Sequence, residues 1–379
     1  MSETKKNHFV PKFYLKKFLN ENEKIFVYDK KIKKTSNYSS LKSIGMRENL
    51  YTVRCKISHD DILFYKKVVN PDDHKMEENF IKLLVSFLNN DLGNILSNEL
   101  HEYSIEDQNK IKGFITDKIN NFGFSRRQED LFCLYENNFR PVYEDILEYE
   151  DITIINSLQQ PKVSEGIFIS IYMKIKICEF IIKKSVVVFN KILDKEEGKV
   201  TDIENIRQSY SDKDRKFDFI HYIMNQFLRT NKNIDLVQLK EDAQIQNTLE
   251  ENNAQMNNIM FLSIHHNSLQ LLDRILKAGY KTILIINDTK TTFITSDNPC
   301  INIKYDVFEY SYTPIDNDTF EIYFPLSPRI AVLLTNRECY NEKFTLKKTN
   351  DVLAFNKKIY NMAERYIYAN NKEDLTKGL

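Results

Sequence analysis

Glycine and proline are scarce, eight of each in 379 residues. So few turn-formers argue against a turn-rich β-sandwich and for long helices. They also leave little from which to build a phosphate-cradling loop, and neither a Walker loop nor Gly-x-Gly-x-x-Gly occurs. Cysteine is limited to Cys55, Cys133, Cys178, Cys300 and Cys339, an odd and widely spaced set with no CxxC pair. That spacing argues against a disulfide framework or a cysteine zinc site and suits a reducing compartment. An excess of one charge is missing as well, because 54 basic and 54 acidic residues cancel. The chain as a whole has no pull toward nucleic acid or an anionic membrane, although cancellation says nothing about local patches. The most apolar stretch, Ile167 to Phe189, is interrupted by Lys174, Lys176, Glu179, Lys183 and Lys184 and is too broken to span a bilayer. The opening MSETKKNHFVPKF lacks the apolar core of a secretory signal, so a cytoplasmic location is expected.

What the chain does have is core material: 42% hydrophobic residues, with 25 Phe and 21 Tyr. IFVYDKKIKK reads as a strand followed by a basic polar turn. Residues 1–71 are expected to form an N-terminal segment with an opening helix near Pro11 and short strands. Across 72–279 the apolar residues recur at three- and four-residue steps, as in Phe80, Leu83, Leu84 and Phe87, which predicts an irregular helical body. From 280 to 379 the character changes. YKTILIINDTKTTFITSDNPC holds two β-branched runs around Asn287-Asp288-Thr289-Lys290, the pattern of a hairpin. TFEIYFPLSPRIAVLLTN predicts a second strand pair with Pro325 and Pro328 between its strands, and a last helix over NDVLAFNKKIYNMAERYIYANN follows. The fold class expected is α+β, mainly α: a helical body, a small antiparallel β-rich C-terminal part and a strand-containing N-terminal cap, forming one integrated unit.

Several short strings occur in a telling order: NHFVPKFYLKKF, IFVYDKK, NQFLRT, TSDNPC, FPLSP and AFN…AERYIYA. Together they resemble a bacterial family known as domain of unknown function 4238, over nearly the whole chain. The most specific pieces are His8, Pro11, Tyr14 and Leu15 at the start, and Thr295 to Pro299. Gln226, Arg229 and Thr230 carry the middle, where Asn231 stands in place of a frequent proline. The resemblance implies no activity, only that remote polar positions belong to one design.

Those positions have chemistry of their own. His8 can transfer protons near neutral pH. Asp297, just before Asn298-Pro299 at a strand end, can act as a base or hold a metal, or can equally cap a turn. Gln226 and Arg229 are three residues apart and share a helix face, and the arginine fork suits a phosphate or carboxylate. The expected site gathers His8, Gln226, Arg229, Asp297 and Asn298, with His8 or Asp297 as proton carrier and Arg229 as anion clamp. Asn356 on the last helix could point into the same place. Such a set suits cleavage of a phosphodiester in nucleic acid by a toxin or phage-defence effector, with a divalent metal compatible and no membrane partner expected. A second reading makes the chain a non-enzymatic binding or sensing module, with Arg229 and Asp297 as a buried structural pair.

Other signals are weaker. Arg215 and His221 have the spacing of the HEPN type of helical ribonuclease, which gives a third reading. His265 and His266 are adjacent and diverge by about 100° on a helix, so one metal cannot take both. Glu77 and Glu78 near His74 read as a solvated helix start. Ser327 lacks a nucleophile elbow and reads as a turn hydroxyl.

Overall fold

A computed structural model describes residues 6–8, 10–48, 56–66, 81, 85, 105, 109, 124–156, 215–229, 255–305 and 320–377. The Phe80, Leu83, Leu84 and Phe87 spacing and the His74, Glu77 and Glu78 group lie outside the described residues. Among the described residues there are eleven strands and seven α-helices, in an α+β arrangement.

The chain begins with β1 (Lys6–His8), the short helix α1 (Lys12–Leu15) and the hairpin β2 (Ile25–Asp29) and β3 (Lys34–Tyr38). Pro11 caps α1, and its extended ψ of 140° places it outside the helix rather than in the first turn. Next come β4 (Met46–Glu48), which pairs with β1, and α2 (His59–Phe64). Helix α2 opens on a capping box between Ser58 and Asp61. The helical body contains α3 (Phe124–Tyr149), α4 (Thr153–Asn156), α5 (Arg215–Leu228) and α6 (Met256–Lys277). Phe139 of α3 stacks on Tyr222 of α5 with ring centroids 3.8 Å apart. No helix among the described residues is long and apolar enough to cross a membrane.

The C-terminal part supplies β5 (Lys281–Asn287), β6 (Thr295–Ser296), β7 (Ile301–Asn302), β8 (Ile322–Pro325), β9 (Ile330–Thr335) and β10 (Lys343–Leu346). Helix α7 (Thr349–Met362) and strand β11 (Tyr366–Ala369) follow. One sheet has the order β10-β5-β9-β8-β7, and the second runs β3-β2-β11-β6. The second sheet therefore joins strands from the two ends of the chain.

Burial explains why β5 and β9 are apolar without alternation. Leu284, Val332, Leu334 and Phe324 face a core shared with the helical body. Their neighbours Ile283, Ile285, Ala331 and Leu333 face a second core built with Val352, Ile359 and Met362 of α7. A sheet covered on both faces needs hydrophobic residues at every position.

The β8–β9 hairpin forms as expected, and Ser327 is its turn hydroxyl, accepting the N–H groups of Arg329 and Ile330 at 3.2 and 3.0 Å. The expected hairpin after Gly279 does not form. Strand β5 pairs with β9 and, in parallel, with β10, while β6 crosses to β11 in the other sheet. The cause is Asn287: its Oδ1 accepts the Thr289 N–H at 3.0 Å and its Nδ2 donates to the Thr291 carbonyl at 2.8 Å. This local turn leads the chain out of the sheet instead of folding it back. The parallel β10–β5 pair also corrects the expectation of a purely antiparallel C-terminal part. Tyr366 to Ala369, expected in the last helix, form a strand because Ala363 leaves helical geometry at ψ 139°.

Candidate functional site

Thr295 to Pro299 lie where the two sheets and α7 meet. Asp297 is 2% exposed. Its Oδ1 accepts the N–H of Glu364 at 3.0 Å, and its Oδ2 accepts those of Arg365 and Tyr366 at 2.7 and 2.8 Å. Burial is the dominant influence on this carboxyl and raises its pKa to about 6, against the opposing pull of the amide donors. Asn298 donates from Nδ2 to the carbonyl of Met362 at 3.2 Å, the last residue of α7. Ser296 folds the loop on itself, its Oγ accepting Asn298 N–H at 3.0 Å and donating to the Asn298 carbonyl at 2.8 Å. The pair thus satisfies the chain-end groups of α7 and the start of β11.

The other strings of the recognised pattern connect to the same place. Tyr14 donates its hydroxyl proton to the Pro325 carbonyl at 2.7 Å, which leaves the oxygen to accept from Thr295 Oγ1 at 2.6 Å. Tyr143 donates to the Leu326 carbonyl at 2.6 Å. Asn356 accepts Ile294 N–H at 3.1 Å and donates to the Thr292 carbonyl at 2.8 Å. Asp29 is bound by Nε and Nη2 of Arg365 at 3.0 and 2.8 Å. One buried web therefore links the opening segment, the β8–β9 turn, α7 and β11.

Gln226 and Arg229 sit apart from that web, at the end of α5. The guanidinium is 1% exposed; its Nε donates to Gln226 Oε1 at 3.0 Å and its Nη2 to Glu136 Oε1 at 2.6 Å. The rings of Phe132 and Tyr222 lie 5.2 and 6.0 Å from it. Around it His265, wholly buried, keeps its Nδ1 at 3.2 Å from the Tyr135 hydroxyl. Burial, then the nearby His221 and Arg229, hold the His265 pKa well below the usual imidazole value, so the ring stays neutral. Ser268 donates to the His265 carbonyl at 2.9 Å and so accepts from His221 Nε2 at 3.2 Å, which places a proton on that nitrogen. His266 turns the other way, with Nδ1 2.6 Å from Tyr65 of the α2 region. The two adjacent histidines diverge as helix geometry requires.

The five expected site residues are therefore brought together in part. Asp297 and Asn298 share one web, and Gln226 and Arg229 share a helix end. The expected Arg229–Asp297 pair is not formed, because Glu136 meets the guanidinium and backbone amides meet the carboxylate. His8 is a strand residue paired with Met46, and the position of its imidazole lies outside what is described, as does the side chain of Arg215. His221, the partner of Arg215 in the HEPN reading, is 1% exposed. Among the described residues no three His, Cys, Asp or Glu side chains gather as a metal ion would need.

Sequence reasoning missed Glu136 and the Asp29–Arg365 pair, whose partners are 93 and 336 residues apart with no local signal. It also missed Asp61, although Ser58-x-x-Asp61 carries the capping-box spacing. This 0% exposed carboxylate accepts from Gln255 N–H and from Asn258 Nδ2 at 2.7 Å, tying α2 to the start of α6.

The chain belongs to the family described as protein of unknown function (DUF4238), whose model matches residues 6–373. No curated protein and no solved structure matches the chain.

Proposed function

We propose that this chain is a binding or sensing module, and that Gln226, Arg229, Asp297 and Asn298 hold its parts in register rather than act on a substrate. The observation that carries this reading is Asp297, whose two oxygens are occupied by three backbone N–H groups in a site 2% exposed. A general base needs a free lone pair aimed at a proton it can reach. Arg229 is likewise committed to Gln226 and Glu136, so an incoming phosphate would first have to displace a carboxylate. A bacterial source, which the family resemblance implies, and a cytosolic setting are part of the same proposal.

The rival reading is a nuclease-like effector in toxin or phage-defence biology, acting on nucleic acid with or without a divalent metal. One feature favours it: Arg229 keeps the neutral His265 beside it, and its partner Glu136 retains 23% side-chain exposure. On that reading Arg229 still serves as anion clamp and His8 or Asp297 carries the proton. Arg215 and His221 would take the chemistry in its HEPN-like form.

The deciding experiment uses the parent protein with its Asp297→Ala and Arg229→Ala variants. Each is melted and each is assayed on RNA and DNA with magnesium or manganese. Structural braces melt early, and the parent cleaves nothing. Variants that keep the parent melting temperature while abolishing a measurable cleavage would overturn the module reading.

A further inference from the structure

The turn between β2 and β3 reads Asp29-Lys30-Lys31-Ile32-Lys33-Lys34. It is anchored rather than loose. Asp29 Oδ1 accepts the N–H of Lys31 at 2.9 Å and of Ile32 at 3.4 Å, while Oδ2 is held by Arg365. Lys30 bends inward, its Nζ donating to the carbonyls of Tyr360 and Ala363 at 2.8 Å each. Lys33 adopts a left-handed φ of 51°, which closes the turn. The outcome is an apex with Ile32 63% exposed and the side chains of Lys31, Lys33 and Lys34 exposed around it.

Two ordinary explanations cover part of this. Lysines on an edge hairpin discourage strand pairing between molecules, and β3 is an edge strand. A turn needs polar residues for solubility. The Asp29 contact to Lys31 is itself an ordinary Asx turn, but neither explanation accounts for an isoleucine projecting from the tip among lysines.

We propose that this apex docks on an anionic lipid surface, with Ile32 entering the headgroup boundary and Lys31, Lys33 and Lys34 among the headgroups. The chemistry matches on both counts: anionic headgroups attract the lysines, and the acyl boundary receives the aliphatic side chain. A nucleic-acid backbone satisfies the lysines but gives Ile32 no apolar place along the phosphates. The proposal deepens the binding-module reading by naming a partner. It departs from the expectation of no membrane partner, which rested on whole-chain charge balance and the lack of a spanning stretch; a local cluster escapes the first and surface docking does not need the second. A single apex of this size gives reversible attachment rather than insertion.

The test is sedimentation of the full chain with vesicles of phosphatidylcholine alone or mixed with phosphatidylserine. Each lysine near an anionic surface contributes about fivefold in partitioning, so changing Lys31, Lys33 and Lys34 together to Gln lowers binding roughly a hundredfold. Ile32→Ser, with charge unchanged, lowers it about tenfold. Both variants keep the parent melting temperature, since the altered side chains are exposed. Equal sedimentation with the two vesicle types overturns the proposal. So does indifference to Ile32→Ser combined with displacement from vesicles by duplex RNA at matched phosphate concentration, which makes the patch a nucleic-acid surface. The Asp297→Ala melt judges the module reading separately, whichever way the vesicles decide.

Discussion

Replacing Asp297 by alanine strands the N–H groups of Glu364, Arg365 and Tyr366 in a place water does not reach. At about 2 kcal/mol for each buried donor left unsatisfied, the loss is roughly 6 kcal/mol. Against this, the variant no longer has to bury a charge. The carboxyl holds its proton up to about 6 in the fold against 3.8 when free. That difference corresponds to about 3 kcal/mol returned at neutral pH by removing the ionised group. The net expectation is a loss of about 3 kcal/mol at pH 7.5, or roughly 4 °C in melting temperature for a chain of this size. The sign of the pH dependence follows from the raised pKa. Stability contributed by this group is complete below 3.8 and lost as pH rises through about 6. The parent therefore gains on the variant by about 1.4 kcal/mol between pH 7.5 and pH 5. Paired thermal melts across that range check both numbers, because titrations common to the two proteins cancel. A melting temperature unchanged at pH 7.5 would falsify the structural role. A gap that narrows toward pH 5 would show that the amide donors, not burial, set the proton affinity.

Further expectations concern the same web. Tyr14→Phe keeps the stack on Phe324, 5.1 Å between centroids, but removes the hydroxyl between Thr295 and Pro325. It should cost about 1–2 kcal/mol, read as a lower urea midpoint at unchanged slope. Asp61→Ala deprives Ser58 N–H, Gln255 N–H and Asn258 Nδ2 of their acceptor and should cost about 3–5 kcal/mol. Faster hydrogen exchange at the start of α6 is its local signature, and unaltered exchange there counts against the tie. Gly45→Ala meets two obstacles, a φ of 62° and a new Cβ 2.9 Å from Val10 Cβ. A loss of about 1–3 kcal/mol in thermal melts is expected, and a neutral result refutes the close approach.

Local chemistry made some of this fold readable in advance. The proline-bounded FPLSP turn announced the β8–β9 hairpin because its strands are neighbours in sequence. Helical composition announced α5 and α6 for the same reason, although their near-complete burial was not announced. The partners of β5 were hidden: its apolar run is equally good against any strand, and the chain is diverted by Asn287 together with remote Asn356 and Asp374, which hold Thr292 and Ile294. The site was legible as residue types but not as pairings. An arginine announces its need for an anion, yet nothing local says that Glu136 supplies it. Asp297 looked like a candidate base because a carboxylate before a proline at a strand end carries the same letters whether it faces a substrate or three amides. Ser58 and Asp61 were readable, at their capping-box spacing, as a helix start, while the second duty of Asp61 at α6 was not.

Strand β11 lies between β2 and β6, hydrogen-bonded to both. During synthesis β2 emerges early and has to wait for most of the remaining chain before that neighbour arrives. In the interval one edge of the β2–β3 hairpin stays unpaired, a condition that invites association with other nascent chains. Completion of this sheet thus waits on a strand more than 330 residues downstream of β2, and folding of so non-local a sheet is slow.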